Sequence, residues 1–293
     1  MKKRIFTIVT ISALALTAAG CSCSQPAQVT PSGTEAVQTT EAPAPETTAA
    51  PETEAPTTAA PETTAAVKDV TISVETYKDE ASVKITYPVL SGLKDESLQK
   101  KWNDLFFADA HSDAEYLVAG DTFTSTWEVA SGTARVISLV KTTLLTDADG
   151  KTERTLVAYN IDSTNGQMKR LTQLSDVNAI AEDLAKAAAA LEKGQANNAY
   201  ILYDAEGKDI TAEISLTDLL AHYKSLITGP AAGDVQAGLI RLLSYVDYTD
   251  NGQIAGYSFW RDGVLRLVFP YDAAISDYIV IEVKDAHRTS TSK

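Results

Sequence analysis

The stretch from Ser24 to Ala66 decides how much of this chain can fold. It is almost entirely Thr, Ala, Pro and Glu, with "PETTAA" at 45–50 and again at 61–66. Prolines 26, 31, 43, 45, 51, 56 and 61 fall inside it, seven of the chain's ten, and it holds no Lys, Arg or aromatic residue. Proline at that spacing removes the donors that helices and sheets require, and nothing apolar enough is present to seed a core. The composition predicts a disordered, polyproline-biased spacer. At about 3.1 Å per residue such a spacer reaches at most roughly 130 Å. All tertiary structure must come from the 227 residues after Ala66, enough for one substantial domain or two small lobes.

What precedes the spacer reads as an address. Lys2, Lys3 and Arg4 lead an uncharged run from Ile5 to Ala19, followed by Gly20 and Cys21. A positive start, a short apolar run and small residues before a processing point mark a secretory signal. The run is about 15 residues, short of the roughly 20 needed to span a bilayer. "LTAAGC" resembles a bacterial lipobox, although Ala18 stands where a large aliphatic residue is commonest. The resemblance implies that Cys21 becomes the mature N-terminus and carries a diacylglyceryl thioether. Each buried CH₂ then contributes about 0.8 kcal/mol of membrane affinity, and two or more chains anchor stably. Cys23 is the only other cysteine, so the folded part has neither disulfides nor a cysteine metal site.

The expected organisation is therefore a signal peptide at 1–20, a lipidated N-terminus and spacer at 21–66, a folded domain at 67–285, and a polar tail at 286–293. The expected location is the outer face of a bacterial cell membrane, held by the lipid on Cys21. Formal net charge is −14. Setting aside the signal's three cations and the spacer's six glutamates leaves the remainder at −11. That surface argues against nucleic acid and favours solubility, cations or a basic protein partner.

Within the remainder, "DVTISVET" (69–76) and "SVKITYP" (82–88) alternate with period two and predict a hairpin across "YKDEA". "DESLQKKWNDLFFADA" (95–110) sets Leu98, Trp102, Leu105 and Phe106 at helical spacing behind an Asp95 cap. Segments 122–130, 134–146 and 153–162 read as a strand meander. Helices are expected at 175–194, capped by Ser175 and stopped by Gly194, and at 215–228. Residues 256–270 predict a hairpin with "RDG" at its tip, and 278–283 a last strand. Strands and helices segregate, so the fold class is α+β: mainly antiparallel sheet with about three helices.

Three segments resemble a known family, the PdaC/RsiV-like extracytoplasmic domain, shared by a lysozyme-sensing anti-sigma factor and a peptidoglycan deacetylase. "VKITYPVLSGLKDESLQKKWNDLFFADA" resembles its opening, with Tyr87, Pro88, Gly92 and Asn103 in the signature places. "VAYNIDSTNGQMKRLTQLSDV" resembles its central element, through Asn160, Asp162, Gly166, Leu171 and Leu174. "YSFWRDGVLRLVFPYDAAISDYIVIEV" resembles its closing hairpin and strand. The resemblance implies an extracytoplasmic α+β domain. It does not extend to the relatives' Gly-Gly-Ala-His turn, where this chain has "LLTDADGKTERTLVAYN", so no ligand role of that turn carries over. No membrane-spanning or cytoplasmic anti-sigma segment is expected.

Signals for chemistry are sparse. His111, His222 and His287 are scattered without a second ligand at metal spacing, and no His-x-x-x-His pair, nucleophile elbow or phosphate loop occurs. No catalytic residue, metal or cofactor is expected. "DADGKTE" has the outline of a calcium loop but lacks two of its ligands, and Asp-Gly between strands reads first as a hairpin turn. "YTDNGQ" (248–253) reads as a turn and "YDAEGKD" (203–209) as a loop cap. Trp127, Trp260 and Tyr257 are the candidates for a sugar platform, although strand aromatics are usually core. The function expected is a non-catalytic surface lipoprotein that binds or senses a cationic protein such as a lysozyme, or cell-wall glycan. The alternatives are an accessory subunit of an envelope complex and a carboxylate-dependent cell-wall hydrolase.

Overall fold

The computed structural model describes residues 70–131, 135–227, 233–247, 254–273 and 276–289. The signal, Cys21, Cys23, the spacer and "YTDNGQ" lie outside the described residues. The chain divides into two units at Ala66/Val67, and everything below concerns the second.

Two sheets lie face to face. The first has six strands in sequence order: β1 (Thr71–Glu80), β2 (Val83–Ser91), β3 (Thr122–Ser131), β4 (Val136–Thr146), β5 (Thr152–Asp162) and β6 (Met168–Lys169). All neighbours are antiparallel except β2 and β3. A parallel pair needs a crossover, and α1 (Glu96–Tyr116) supplies it. The second sheet orders β7 (Tyr200–Tyr203), β10 (Ser276–Val283), β9 (Val264–Ala273) and β8 (Tyr257–Arg261), all antiparallel.

Alternation along β3, β4 and β5 explains the layering. Trp127, Leu139, Ile161 and the partly buried Tyr159 face α1, where Leu98, Trp102 and Phe106 pack against them. Ala130, Val140 and Ala158 face the other way, onto Tyr257, Phe259, Val268 and Tyr278 of the second sheet. That sheet's outer face, with Trp260, Leu265, Leu267, Phe269 and Ile281, is covered by α3 (Val177–Leu191), α4 (Leu216–His222) and α5 (Val235–Leu243). The layers run helix, sheet, sheet, helices, which is the α+β, antiparallel-rich class the sequence implied. Five helices are described rather than about three. The one-turn α2 (Leu171–Leu174) and α5 are the additions. Nine residues make α5 short, and its amphipathic run passes for a buried strand on pattern alone.

Several boundaries move for local reasons. β1 runs on to Glu80 through a bulge at Tyr77, so the turn to β2 shrinks to Ala81 and Ser82. α1 continues past Ala110 to Tyr116. Asp176, not Ser175, caps α3 by accepting from Asn178 and Ala179 N–H; Ser175 instead closes α2, its N–H donating to Leu171 O. α4 ends at His222, short of the expected 228. Residues 286–289, expected as part of a polar tail, run beside α2 and α3: Thr289 N–H donates to Leu174 O and Asp176 N–H to His287 O.

The residues that carried the family resemblance hold joints in this fold. Asn103 bridges the end of β2 by accepting from Leu90 N–H at 2.8 Å and donating to Leu90 O at 3.0 Å. Gly166 sits at φ +72 with its carbonyl accepting from Trp102 Nε1 at 2.8 Å, and a Cβ there would meet Leu93 methyls at 2.6 Å. Asp162 closes the same turn, accepting from Thr164 N–H and Oγ1, and those bonds hold its carboxyl below the usual range despite partial burial. Asn160 accepts from Ser138 Oγ and donates to Ser258 O across the gap between the sheets. Together with Ser138 Oγ, which accepts from Trp260 N–H, this satisfies the free edge of β8.

Candidate functional site

α1 carries two phenylalanines in succession, and adjacent helical positions point about 100° apart. Phe106 takes the core. Phe107 is left 50% exposed, the most exposed large apolar side chain among the described residues. It rests on β1 and β2, where Tyr77 and Tyr87 meet it edge-on at ring separations of 5.5 and 5.6 Å. His111, one turn further along α1, accepts from or donates to the Tyr77 hydroxyl through Nδ1 at 2.8 Å. Its Nε2 lies 3.3 Å from Glu115. On the other side, the Tyr87 hydroxyl donates to Glu75 at 2.9 Å, which pushes the phenol's pKa up. The bulge at Tyr77 belongs to this site, because it falls where that ring joins the cluster.

The result is a ledge of three rings whose polar ends are anchored to two exposed carboxylates. Asp79 and Glu80 are exposed on the same edge strand. Aromatic rings rimmed by carboxylates suit Lys and Arg side chains, through cation–π contact with ring faces and charge together.

The aromatics singled out from sequence lie elsewhere: Trp127, Trp260 and Tyr257 are 7%, 1% and 9% exposed. They are core, and the sugar-platform reading of them is withdrawn. His222 packs on Tyr271 at 4.7 Å, and His287 pairs with Asp183 at 2.7 Å. In "DADGKTE", Asp147 spends its carboxylate on Asp149 and Lys151 N–H, the geometry of a turn. Asp204 does the same for Glu206 and Lys208. Among the described residues no group of three His, Cys, Asp or Glu is placed to hold a metal, and no helix is long and apolar enough to cross a membrane. A concavity of about 780 Å³ runs between the β8–β9 turn and residues 284–289. Its charges are engaged: Arg288 donates to Gly263 O and Lys284 to Glu282.

Burial raises the pKa of two carboxyls: Asp247, pushed up to about 7, and Asp109. Asp247 is 1% exposed and accepts from Leu171 N–H, Ser258 N–H and Ser258 Oγ. Asp109, on α1, pairs with Lys141 at 2.6 Å.

Sequence reasoning missed the ledge. The signal was there in the Phe106–Phe107 pair, since only one ring of such a pair can enter a single buried stripe.

No family model matches the sequence, and no curated protein matches it. Among solved structures, the chain is similar to a DUF3298 family protein from Pseudomonas aeruginosa PAO1, with 9% identity and a TM-score of 0.36. The match covers 77% of this chain and 94% of that one. The likeness is coarse.

Proposed function

We propose that this chain is a non-catalytic binding module displayed on the outside of the cell, with the Tyr77–Tyr87–Phe107 ledge as its contact surface and a cationic protein as its partner. The single observation that carries the reading is Phe107, half exposed between two tyrosines whose hydroxyls are tied to histidine and carboxylate. A net charge of −14 supports a basic partner, because opposite fields raise encounter rates as well as affinity. The finer assignment, a PdaC/RsiV-like domain, rests on the sequence signatures around Tyr87, Asn103, Asn160 and Gly166.

The test is titration of the full chain with a lysozyme and, separately, with purified peptidoglycan. Lysozyme is expected to bind, more weakly as salt rises, and Phe107→Ser is expected to weaken it roughly 30-fold, the scale of an aromatic hot spot. Stability should move by less than about 0.5 kcal/mol, because the site is on the surface. Binding of peptidoglycan alone would transfer the ledge to glycan. Binding of neither would end the proposal.

Membrane attachment is proposed through the lipid on Cys21. A fatty-acid probe is expected to label the wild-type chain, and Cys21→Ala is expected to be unlabelled and released into the medium. Equal retention of both forms would remove the anchor.

A further inference from the structure

Beneath the C-terminal half of α1 lies a polar group that the proposed function does not use. Lys141 stands on β4, the strand between β3 and β5, and its side chain is 7% exposed. The register places it beside Trp127 on β3 and Val157 on β5. Its Nζ donates to Asp109 Oδ2 at 2.6 Å. Asp113, one helical turn on and 14% exposed, has Oδ2 at 2.8 Å from the same nitrogen but off the hydrogen-bond direction. Phe106, Trp127 and Tyr159 form the aromatic side of this pocket, with rings 5.0–6.0 Å apart. Ser125 Oγ and Trp127 Nε1 are buried in the same sheet face without partners.

One ammonium, 7% exposed, between carboxylates that are 27% and 14% exposed is a costly arrangement. Desolvation of buried ions often exceeds what their attraction returns, and the triad carries an uncompensated negative charge. Burial, opposed by Lys141 and reinforced by Asp113, favours the protonated form of Asp109. A carboxyl group 2.6 Å from a buried lysine nitrogen, with the Asp113 side chain 2.8 Å from the same nitrogen, is a set of reactants for amide formation.

We infer that Lys141 and Asp109 become joined by an intramolecular amide, with Asp113 as the proton carrier. The ammonium of Lys141 gives one proton to Asp109, leaving amine and carboxylic acid. The Nζ lone pair then attacks Asp109 Cγ, forming the C–N bond. Asp113 takes the second proton from nitrogen and delivers it to the departing hydroxyl. One water leaves, the charges of Lys141 and Asp109 disappear, and no oxidant or cofactor is consumed. The bond ties α1 covalently to the central strand of the six-stranded sheet. In a folded part without cysteine, it does the work of a disulfide by restricting the unfolded chain.

The experiment is tryptic digestion of the full chain followed by mass spectrometry. The expected product is a branched peptide containing Asp109 and Lys141, lighter than its two components by one water and uncut after Lys141. Lys141→Arg is expected to abolish it. Asp113→Asn is expected to slow its formation by at least roughly a hundredfold, with the circular dichroism spectrum unchanged. Free peptides ending at Lys141 from the folded wild-type protein would overturn the inference, and they decide it even where Lys141→Arg fails to fold. A linked fraction undiminished in Asp113→Asn would overturn the role given to that residue.

Discussion

Between about pH 4 and pH 7 the wild-type chain is expected to lose stability as pH rises, and Asp247→Asn is expected to flatten most of that slope. Asp247 is wholly buried and its carboxyl is pushed up to about 7, first by desolvation, against the pull of its three donors and of Arg170. The ordinary value is 3.8. Across the interval between the two, the unfolded chain releases the proton while the folded chain keeps it. The unfolded state binds fewer protons there, so the free energy of unfolding falls with rising pH, by roughly 1.4 kcal/mol per pH unit at most. The contribution is complete below about 4 and gone above about 7. Asp162 and Glu282 are lowered, so their contributions vanish only at more acid pH. Urea denaturation at about pH 5 and about pH 8 reads the difference; equal midpoints for wild type at both would refute it. Asp247→Ala tests the same joint more severely. It strands Leu171 N–H, Ser258 N–H and Ser258 Oγ, at about 1–3 kcal/mol each.

Phe106→Ala is the second large effect, at about 3–5 kcal/mol of lost stability. The ring is 1% exposed, stacked on Trp102 at 5.5 Å and edge-on to Trp127 and Tyr159 at 5.0 and 5.7 Å. Three large rings converging from a helix and two strands cannot collapse into the void without moving the sheet, which places the cost at the upper end. For a domain of this size the melting temperature should fall by about 10 °C or more. The neighbouring Phe107→Ala should barely move it. A loss from Phe106→Ala smaller than that from Phe107→Ala would mean that the two rings have been assigned to the wrong faces of α1.

Which features were legible in the sequence follows from the range over which their causes act. α1 was visible because Leu98, Trp102 and Phe106 recur at its own period and Asp95 is its own cap. The β3–β5 meander was visible because alternation and turn residues are local. α5 was not, since nine residues of mixed apolar pattern fit either period. The Ser175 cap was misplaced by one residue, because Ser175 and Asp176 are both good caps and the choice fell to the strand bridge that Ser175 makes with Arg288.

The candidate surface was least legible. Phe107 is an apolar residue among apolar residues, and its exposure depends on where Tyr77 and Tyr87 arrive from strands 20 to 30 positions earlier. The same holds for Lys141, which reads as a solvated strand residue until Asp109 and Asp113 close over it. The sequence alone determined the division of the chain at Ala66, the fold class and the acidic charge, because composition and periodicity carry those without knowing the packing. Only the tertiary structure decided which aromatics face water and which carboxylates are dry, because burial belongs to pairs of segments brought together across the chain.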